Sequence, residues 1–529
     1  MPNRRTVMRT SLGVLATTPF GAGGARAADA PVATTAHGRI RGADDGGIKI
    51  FKDVPYAIAR RFEAPVGPKP WADIRDALAF GPMCPQSRGP LGSLFASWTF
   101  DKDMSEDCQA LNVWTPGLRD NGRRPVMVWL HGGDFTSLSG SRNVFDGTRL
   151  CHKGDIVVVT LNHRLNVFGY LQLAQLAPEF PDAGNVGMLD IVAALKWVKD
   201  NIAEFGGDPA NITIFGQSGG GGKVSTLMAM PTARGLFHKA IVQSGSYYLK
   251  AMSAEEGTGL AVALLAALDM KPGDAAALAT LTPDRLVEGL VKAMRGPAKA
   301  NYRPVVDGRN LPAGPWAPEG PALSADIPMI IGTTATEMTL LTGAREPDTF
   351  KLDEAGLRKR LAAWFAGGDI DTVIATFRAT RPNATPSDLF FAIATDKAMR
   401  EGAWQQAERK ARQEAAPVWL YELDWITPVD GAKWGSPHSL DLAMVFDNVA
   451  LSASMVGTGP EAQAVADQMS AAWLAFARAG NPNNPRIPNW RSYRPADRAT
   501  MVFDVQSRVV SDFRGDERTL LASLKPPTN

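Results

Sequence analysis

The sequence predicts an α/β fold: a large, mostly parallel central sheet flanked by helices, with mainly helical insertions forming a cap or gorge over the strand ends. Two observations carry this reading. Short β-branched runs alternate with longer stretches of helical period through the middle of the chain, the pattern of parallel strands joined by crossover helices. The runs are also continuously apolar, which suits strands covered on both faces better than half-exposed edges.

The strand candidates are Pro125 to His131, Asp155 to Asn162, Asn211 to Phe215, Lys239 to Gln243, Ile327 to Ile331 and Val418 to Leu423. Between Val186 and Phe205 the residues Met188, Ile191, Ala194, Leu195 and Val198 recur at three and four positions, so this stretch is expected to be an amphipathic helix covering the sheet and ending before Gly206-Gly207. The insertions, Met252 to Arg303 and Glu346 to Ala415, are mainly helical in pattern.

The chain has 529 residues, enough for a large core, and 45% of them are hydrophobic. Lysine and arginine total 56 against 54 acidic residues. With no strong net field, binding to nucleic acid or an acidic membrane by bulk charge is not expected. No stretch after the N-terminus offers the roughly 20 uninterrupted apolar residues of a membrane span. The first 27 residues differ from the rest: Arg4-Arg5, a weakly apolar run from Ser11 to Phe20, then Ala25-Arg26-Ala27. That order reads as a signal peptide of the twin-arginine kind, so residues 28–529 are expected to be one domain exported to the periplasm or beyond.

Three cysteines occur, Cys84, Cys108 and Cys151. In an oxidising compartment the arithmetic predicts one bridge and one free thiol. Cys84 and Cys108 bracket a segment rich in Gly, Ser and Pro, whose closure would contribute roughly 3 to 4 kcal/mol in the chain-entropy description. Cys151 is expected to be buried and inert at a helix end. The Cys and His residues lack zinc-site spacing, and no metal or cofactor is expected.

The chemistry concentrates where the run Asn211 to Phe215 enters Gly216-Gln217-Ser218-Gly219-Gly220, a G-x-S-x-G pattern followed by a segment able to be helical. A serine on a sharp strand-to-helix turn needs small neighbours, and its hydroxyl then projects from the sheet edge toward helix N-terminal amides. This is the context that the nucleophile turn of the α/β-hydrolase fold requires, and in that fold base and acid follow the serine in the order acid, then histidine. Of six histidines only His238 and His438 follow Ser218, and His238 precedes a strand at its N-terminal end. His438, in the loop after Val418 to Leu423, is therefore the expected general base. Glu337, after Ile327 to Ile331, is the expected acid; Asp424 competes on order, and Asp307 reads as a turn-capping aspartate. His131-Gly132-Gly133-Asp134-Phe135 follows another buried strand and supplies backbone N–H groups for an oxyanion, with Gly219 N–H completing the set. The carboxylate of Asp134 must turn away from that oxyanion or oppose it.

With these elements placed, the mature chain resembles the type-B carboxylesterase and cholinesterase family, including its bacterial para-nitrobenzyl-esterase-like members, over nearly all its length. The resemblance also rests on Ser105-Glu-Asp-Cys108-Gln-Ala-Leu-Asn-Val-Trp-Thr-Pro, Phe205-Gly-Gly-Asp-Pro-Ala-Asn-Ile-Thr and Trp473 to Pro482. It implies a serine carboxylic-ester hydrolase acting on small-molecule esters without a cofactor. It further implies a bridge between Cys84 and Cys108 and oxyanion donors at Gly133, Asp134 and Gly219. Asp134 and Gly219 depart from the commoner glycine or alanine and alanine. Trp98 has the spacing of the cholinesterase tryptophan that holds quaternary ammonium groups. Gln217, however, stands where cholinesterases have glutamate, so Trp98 is expected to be a wall of an apolar gorge and the substrate a neutral ester. Non-catalytic adhesion relatives typically lose the nucleophile, which is present here. The triad alone does not separate esters from amides, thioesters or carbamates.

Overall fold

The computed structural model describes residues 30–87, 92–99, 103–365 and 369–524, so the expected signal peptide lies outside the described residues. Eleven strands among them form one sheet: β1 (Ala43–Asp45), β2 (Ile48–Pro55), β3 (Ala110–Thr115), β4 (Arg124–Leu130), β5 (Val157–Leu161), β6 (Gly207–Gln217), β7 (Lys239–Gln243), β8 (Met329–Thr334), β9 (Val418–Leu423), β10 (Thr500–Phe503) and β11 (Arg508–Val510). Their spatial order is β11-β10-β9-β8-β7-β6-β4-β5-β3-β2-β1. The pairs from β5 through β4, β6, β7, β8 and β9 to β10 are parallel, and both ends of the sheet are antiparallel. Val32–Thr35, Gly38–Arg41 and Arg75–Asp76 make a separate small sheet.

The six expected strands are β4 to β9, and every residue of β5, β7, β8 and β9 is buried, as continuous apolar runs require. Strand β6 starts earlier than its apolar run, at Gly207, because Arg124 pairs with Gly207 ahead of the regular register. Strand β4 lies between β5 and β6, so the chain reverses its direction of travel across the sheet there. In such sheets the crevice outside the carboxyl ends at the reversal is where ligands bind.

The helix Val186–Asn201 buries Met188, Ile191, Ala194, Leu195 and Val198 as its period predicts, and it runs through a 3-10 turn, Ile202–Phe205, to Gly206 at φ +69°. Its buried Asp190 accepts from Arg164 Nε at 2.8 Å and Nη2 at 2.7 Å, tying the helix to the loop after β5. The first insertion contains the helices Ala254–Ala267 and Pro283–Arg295; the second contains Glu354–Ala362, Ile370–Thr380, Pro386–Thr395 and Glu401–Arg412. The last of these packs on β8 and β9. No helix among the described residues is long and apolar enough to cross a membrane.

The expected Cys84–Cys108 bridge is not formed. Both residues are buried as separate thiols. A hydrogen bond donated by the Cys108 thiol to Cys84, together with burial, pushes the Cys108 thiol well above its ordinary pKa, and Leu165 N–H donates to Cys84 Sγ at 3.2 Å. The sulfurs thus take part in hydrogen bonds, and Gln86, two residues after Cys84, is held by other means. Gln86 accepts from Leu138 N–H at 2.6 Å and donates to Leu138 O at 3.1 Å. Cys151 is buried, as expected, but in the middle of the helix Thr148–Gly154 and not at its end, and its thiol donates to Trp114 O at 3.4 Å.

Candidate active site

Strand β6 ends at Gln217, and Ser218 turns the chain at φ 57°, ψ −128° into the helix Gly219–Leu227. A side chain at φ near +60° is strained, and this turn is possible only because its neighbours are bare. A Cβ on Gly216 would lie 2.5 Å from Gly220 C, and one on Gly220 would lie 1.9 Å from Leu130 O. The Ser218 N–H donates to Gln243 O at 2.8 Å, which fixes the turn against the end of β7.

The loop after β4 lies alongside. Gly133 (φ +82°) and Asp134 (φ 54°) both take the left-handed conformation, which folds the loop back over the nucleophile turn. The approach is close: a Cβ on Gly219 would lie 2.2 Å from Asp134 Cα. Lys223, from the helix behind Ser218, donates to His131 O at 2.9 Å and anchors the start of this loop. Burial pushes the Lys223 ammonium down to about 7. The Asp134 carboxylate is engaged by Tyr247, whose hydroxyl donates to Oδ1 at 2.7 Å, and the same Tyr247 oxygen lies 3.2 Å from Ser218 Oγ.

His438 and Glu337 come from loops after β9 and β8. Thr336 and Ser436 join these loops: Thr336 N–H donates to Ser436 O at 3.0 Å, and Ser436 N–H donates to Thr336 Oγ1 at 2.8 Å. His438 Nδ1 then meets Glu337 Oε2 at 2.5 Å. The other carboxylate oxygen, Oε1, accepts from Ser244 Oγ at 2.6 Å and Thr334 N–H at 2.8 Å. Burial alone would raise the Glu337 pKa, but the neighbouring imidazole and these donors hold it below the ordinary carboxylate value. For His438, burial disfavours the cation, and the Glu337 charge and hydrogen bond outweigh it, with Asp441 and Asp134 adding to the rise. Asp441, itself pushed up to about 6 chiefly by burial, accepts from Gln243 Nε2 at 2.9 Å and Tyr421 OH at 3.0 Å.

The other face of the imidazole meets Gln217, whose Nε2 lies 3.2 Å from His438 Nε2. An amide nitrogen only donates, so this contact belongs to a neutral imidazole carrying its proton on Nδ1. The structure thus gathers Ser218, Glu337, His438, Gly133, Asp134, Gly219 and Gln217 at the carboxyl ends of β4, β6, β8 and β9. Trp98 is buried against Phe95 with ring centroids 4.9 Å apart and donates from Nε1 to Ser452 Oγ at 3.1 Å. Asp424 pairs with Arg508, and Asp307 caps its turn by accepting from the N–H groups of Arg309, Asn310 and Leu311. His238 accepts from Ile212 N–H at 3.1 Å, far along β6 from Ser218.

Ser244, Lys223, Tyr247 and Asp441 were not singled out from the sequence. Asp441 stood three residues after His438, a spacing that signals proximity only once a helix there is known. The tyrosine and lysine carried no pattern at all.

A mostly parallel sheet, a serine on a strand-to-helix turn at its topological switch, and a histidine and acid from later loops define an α/β-hydrolase. The model of the carboxylesterase family matches residues 29–519, and the chain belongs to that family. It is 34% identical to the para-nitrobenzyl esterase of Bacillus subtilis (strain 168), over 93% of this chain and 98% of that one. It is 32% identical to a phenmedipham hydrolase of Pseudarthrobacter oxydans over 89% and 94%. A carboxylesterase from Geobacillus stearothermophilus superposes with a TM-score of 0.81 at 38% identity, over 92% of this chain and 99% of that one. The chain is accordingly a carboxylic-ester hydrolase.

Proposed function

We propose that the protein hydrolyses neutral carboxylic esters through Ser218, His438 and Glu337, by way of an acyl-enzyme. The observation that carries this reading is the contact from Glu337 through His438 to the residue beside Ser218: Nδ1 to Oε2 at 2.5 Å on one side of the ring, Nε2 to Gln217 at 3.2 Å on the other. Ser218 Oγ attacks the ester carbonyl carbon while its proton passes to His438 Nε2. The carbonyl oxygen, now negative, is received by the N–H groups of Gly133, Asp134 and Gly219. Collapse breaks the bond to the alcohol, which leaves with the proton from His438. Water then gives a proton to the same nitrogen, attacks the acyl carbon and frees the acid, and His438 returns the proton to Ser218. Glu337, ionised throughout, keeps the reactive tautomer and stabilises the imidazolium.

Neutral substrates fit a site in which Gln217 supplies no charge and the carboxylate of Asp134 is turned to Tyr247. Export through the twin-arginine leader at residues 1–27 completes the proposal. A hydrolysis panel on purified protein, spanning acyl length, aryl and alkyl alcohols and acetylcholine, tests the substrate class. Nitrophenyl and butyrate esters are expected to be preferred, and a much higher kcat/KM for acetylcholine overturns the neutral-ester assignment.

A further inference from the structure

The nucleophile and its base are each engaged elsewhere. The single hydroxyl hydrogen of Tyr247 is committed to Asp134 Oδ1 at 2.7 Å, a carboxylate that only accepts. The 3.2 Å contact between Tyr247 and Ser218 is therefore one in which the serine donates. Its hydrogen points at a phenol oxygen, and among the described residues the hydroxyl's hydrogen-bond partner is Tyr247 rather than His438. Across the turn, His438 Nε2, the atom that must take that hydrogen, already accepts from Gln217. Ser218, Asp134 and Tyr247 are only partly buried, so an incoming ester reaches this arrangement.

We infer that Tyr247, oriented by Asp134, and Gln217 are positioning residues that form a resting latch: the first holds the Ser218 hydroxyl turned from its base, the second caps the base. This rests on the proposed Ser218–His438 couple. Acylation must break both contacts, since the serine proton has to swing to Nε2 and the amide has to vacate it. Deacylation differs. An acylated Oγ has no hydrogen to give Tyr247, so the first half of the latch is gone, while water still needs Nε2 and the second half persists. The two residues therefore leave different kinetic signatures. Each contact is a neutral hydrogen bond whose loss is worth about three- to tenfold in a rate.

The test uses the mature chain and two probes that separate the steps. The second-order rate of labelling by a p-nitrophenyl phosphonate reports attack by Ser218, and the rate of decarbamylation after labelling with a p-nitrophenyl carbamate reports water attack. Tyr247→Phe is expected to speed phosphonylation about three- to tenfold and leave decarbamylation within twofold. Gln217→Met is expected to speed both. Phosphonylation equal to or slower than that of the parent in Tyr247→Phe, or an equal change in both steps, overturns the latch, because a merely structural tyrosine affects the two alike. If Tyr247→Phe does not fold, Gln217→Met with neither step faster overturns it. Ser218→Ala distinguishes failure of the underlying reading: labelling that survives in that variant removes the nucleophile assignment and the latch with it.

Discussion

Glu337 Oε2 and His438 Nδ1 lie 2.5 Å apart in a pair closed to solvent, and the carboxylate raises the imidazole pKa although burial opposes the cation. The base form of His438 is the neutral one. Activity is therefore lost as pH falls through a value above the ordinary 6.5, and the acid limb of kcat/KM is expected there. Glu337→Gln removes the charge that raises the pKa and leaves the burial, so the limb should move to lower pH. The same change frees the imidazole to adopt the wrong tautomer, and kcat is expected to fall on the order of 10³- to 10⁴-fold with little change in KM. A pH–rate profile of both proteins checks shift and loss together; a limb that stays in place overturns the pairing's role.

Ser218 occupies φ 57°, ψ −128°, a conformation that favours glycine. Such strain costs about 1 to 3 kcal/mol and is retained here for the projection it gives the hydroxyl. Ser218→Gly is expected to raise stability by roughly 1 kcal/mol while abolishing turnover, whereas Ser218→Ala abolishes turnover and keeps the strain. Thermal melts of the two inactive variants decide the matter: equal melting temperatures would mean that the turn stores no strain at this residue.

The parts of this site that were legible in the sequence are those fixed by local rules. Gly216 and Gly220 must be bare because backbone atoms lie within 2.5 Å of where their Cβ atoms would be, and chain order left His238 and His438, of which only His438 follows the carboxyl end of a strand. The central strands β4 to β9 were legible because burial on both faces makes them continuously apolar. Strands β10 and β11 at one end and β1 to β3 at the other were not read as strands. The edge strands β1 and β11 have three residues each, β1 exposed and β11 partly so, and β3, although wholly buried, contains Asn112, which interrupts the apolar run. Asn112 is accommodated because its amide donates to Thr160 Oγ1 at 2.9 Å across to β5 and its oxygen accepts from Asp53 N–H. The partners of Asp134 were illegible for a different reason. Tyr247 reaches it from the loop after β7, and Lys223, on the helix after β6, acts on it through charge alone while donating to His131 O; such relations between distant segments leave no periodicity to read. The cysteine arithmetic assumed an oxidised pair, whereas the structure holds the thiols of Cys84 and Cys108 in hydrogen bonds.

Gly219 stands where the family more commonly has alanine, and the reason lies in the facing loop. Asp134 at φ 54° lays its backbone against the helix start, so that a Cβ at Gly219 would meet Asp134 Cα at 2.2 Å and Asp134 O at 2.3 Å. Neither atom is the flexible end of a side chain, so the loop itself must move. Gly219→Ala should therefore displace the Gly133 and Asp134 amides from the oxyanion and lower kcat about 10²-fold, the cost of losing one such donor, although alanine is the family's commoner residue. Steady-state kinetics checks this directly. Full activity in Gly219→Ala would show that the loop yields without disturbing its donors.

The carboxylate of Asp134 lies beside a site where negative charge must develop, and the groups that face it, Tyr247, Tyr248, Lys223 and His438, compensate it only in part. Tyr247 donates to it, and Lys223, whose pKa burial lowers to about 7, carries only part of a charge at neutral pH. At an effective dielectric of about 20, a unit charge roughly 8 Å away opposes an oxyanion by about 2 kcal/mol. Asp134→Asn keeps the backbone donor and removes the charge, so kcat at alkaline pH should rise by about thirtyfold, the rate equivalent of that repulsion. Both acylation and deacylation pass through an oxyanion, so both should rise, unlike the acylation-only gain expected for Tyr247→Phe. The charge also supports the protonated form of His438, so its removal should shift the acid limb to lower pH. A variant whose two rate constants stay at the parental values while the limb moves down would place the Asp134 charge within reach of the base but out of reach of the oxyanion, and the predicted repulsion would be wrong.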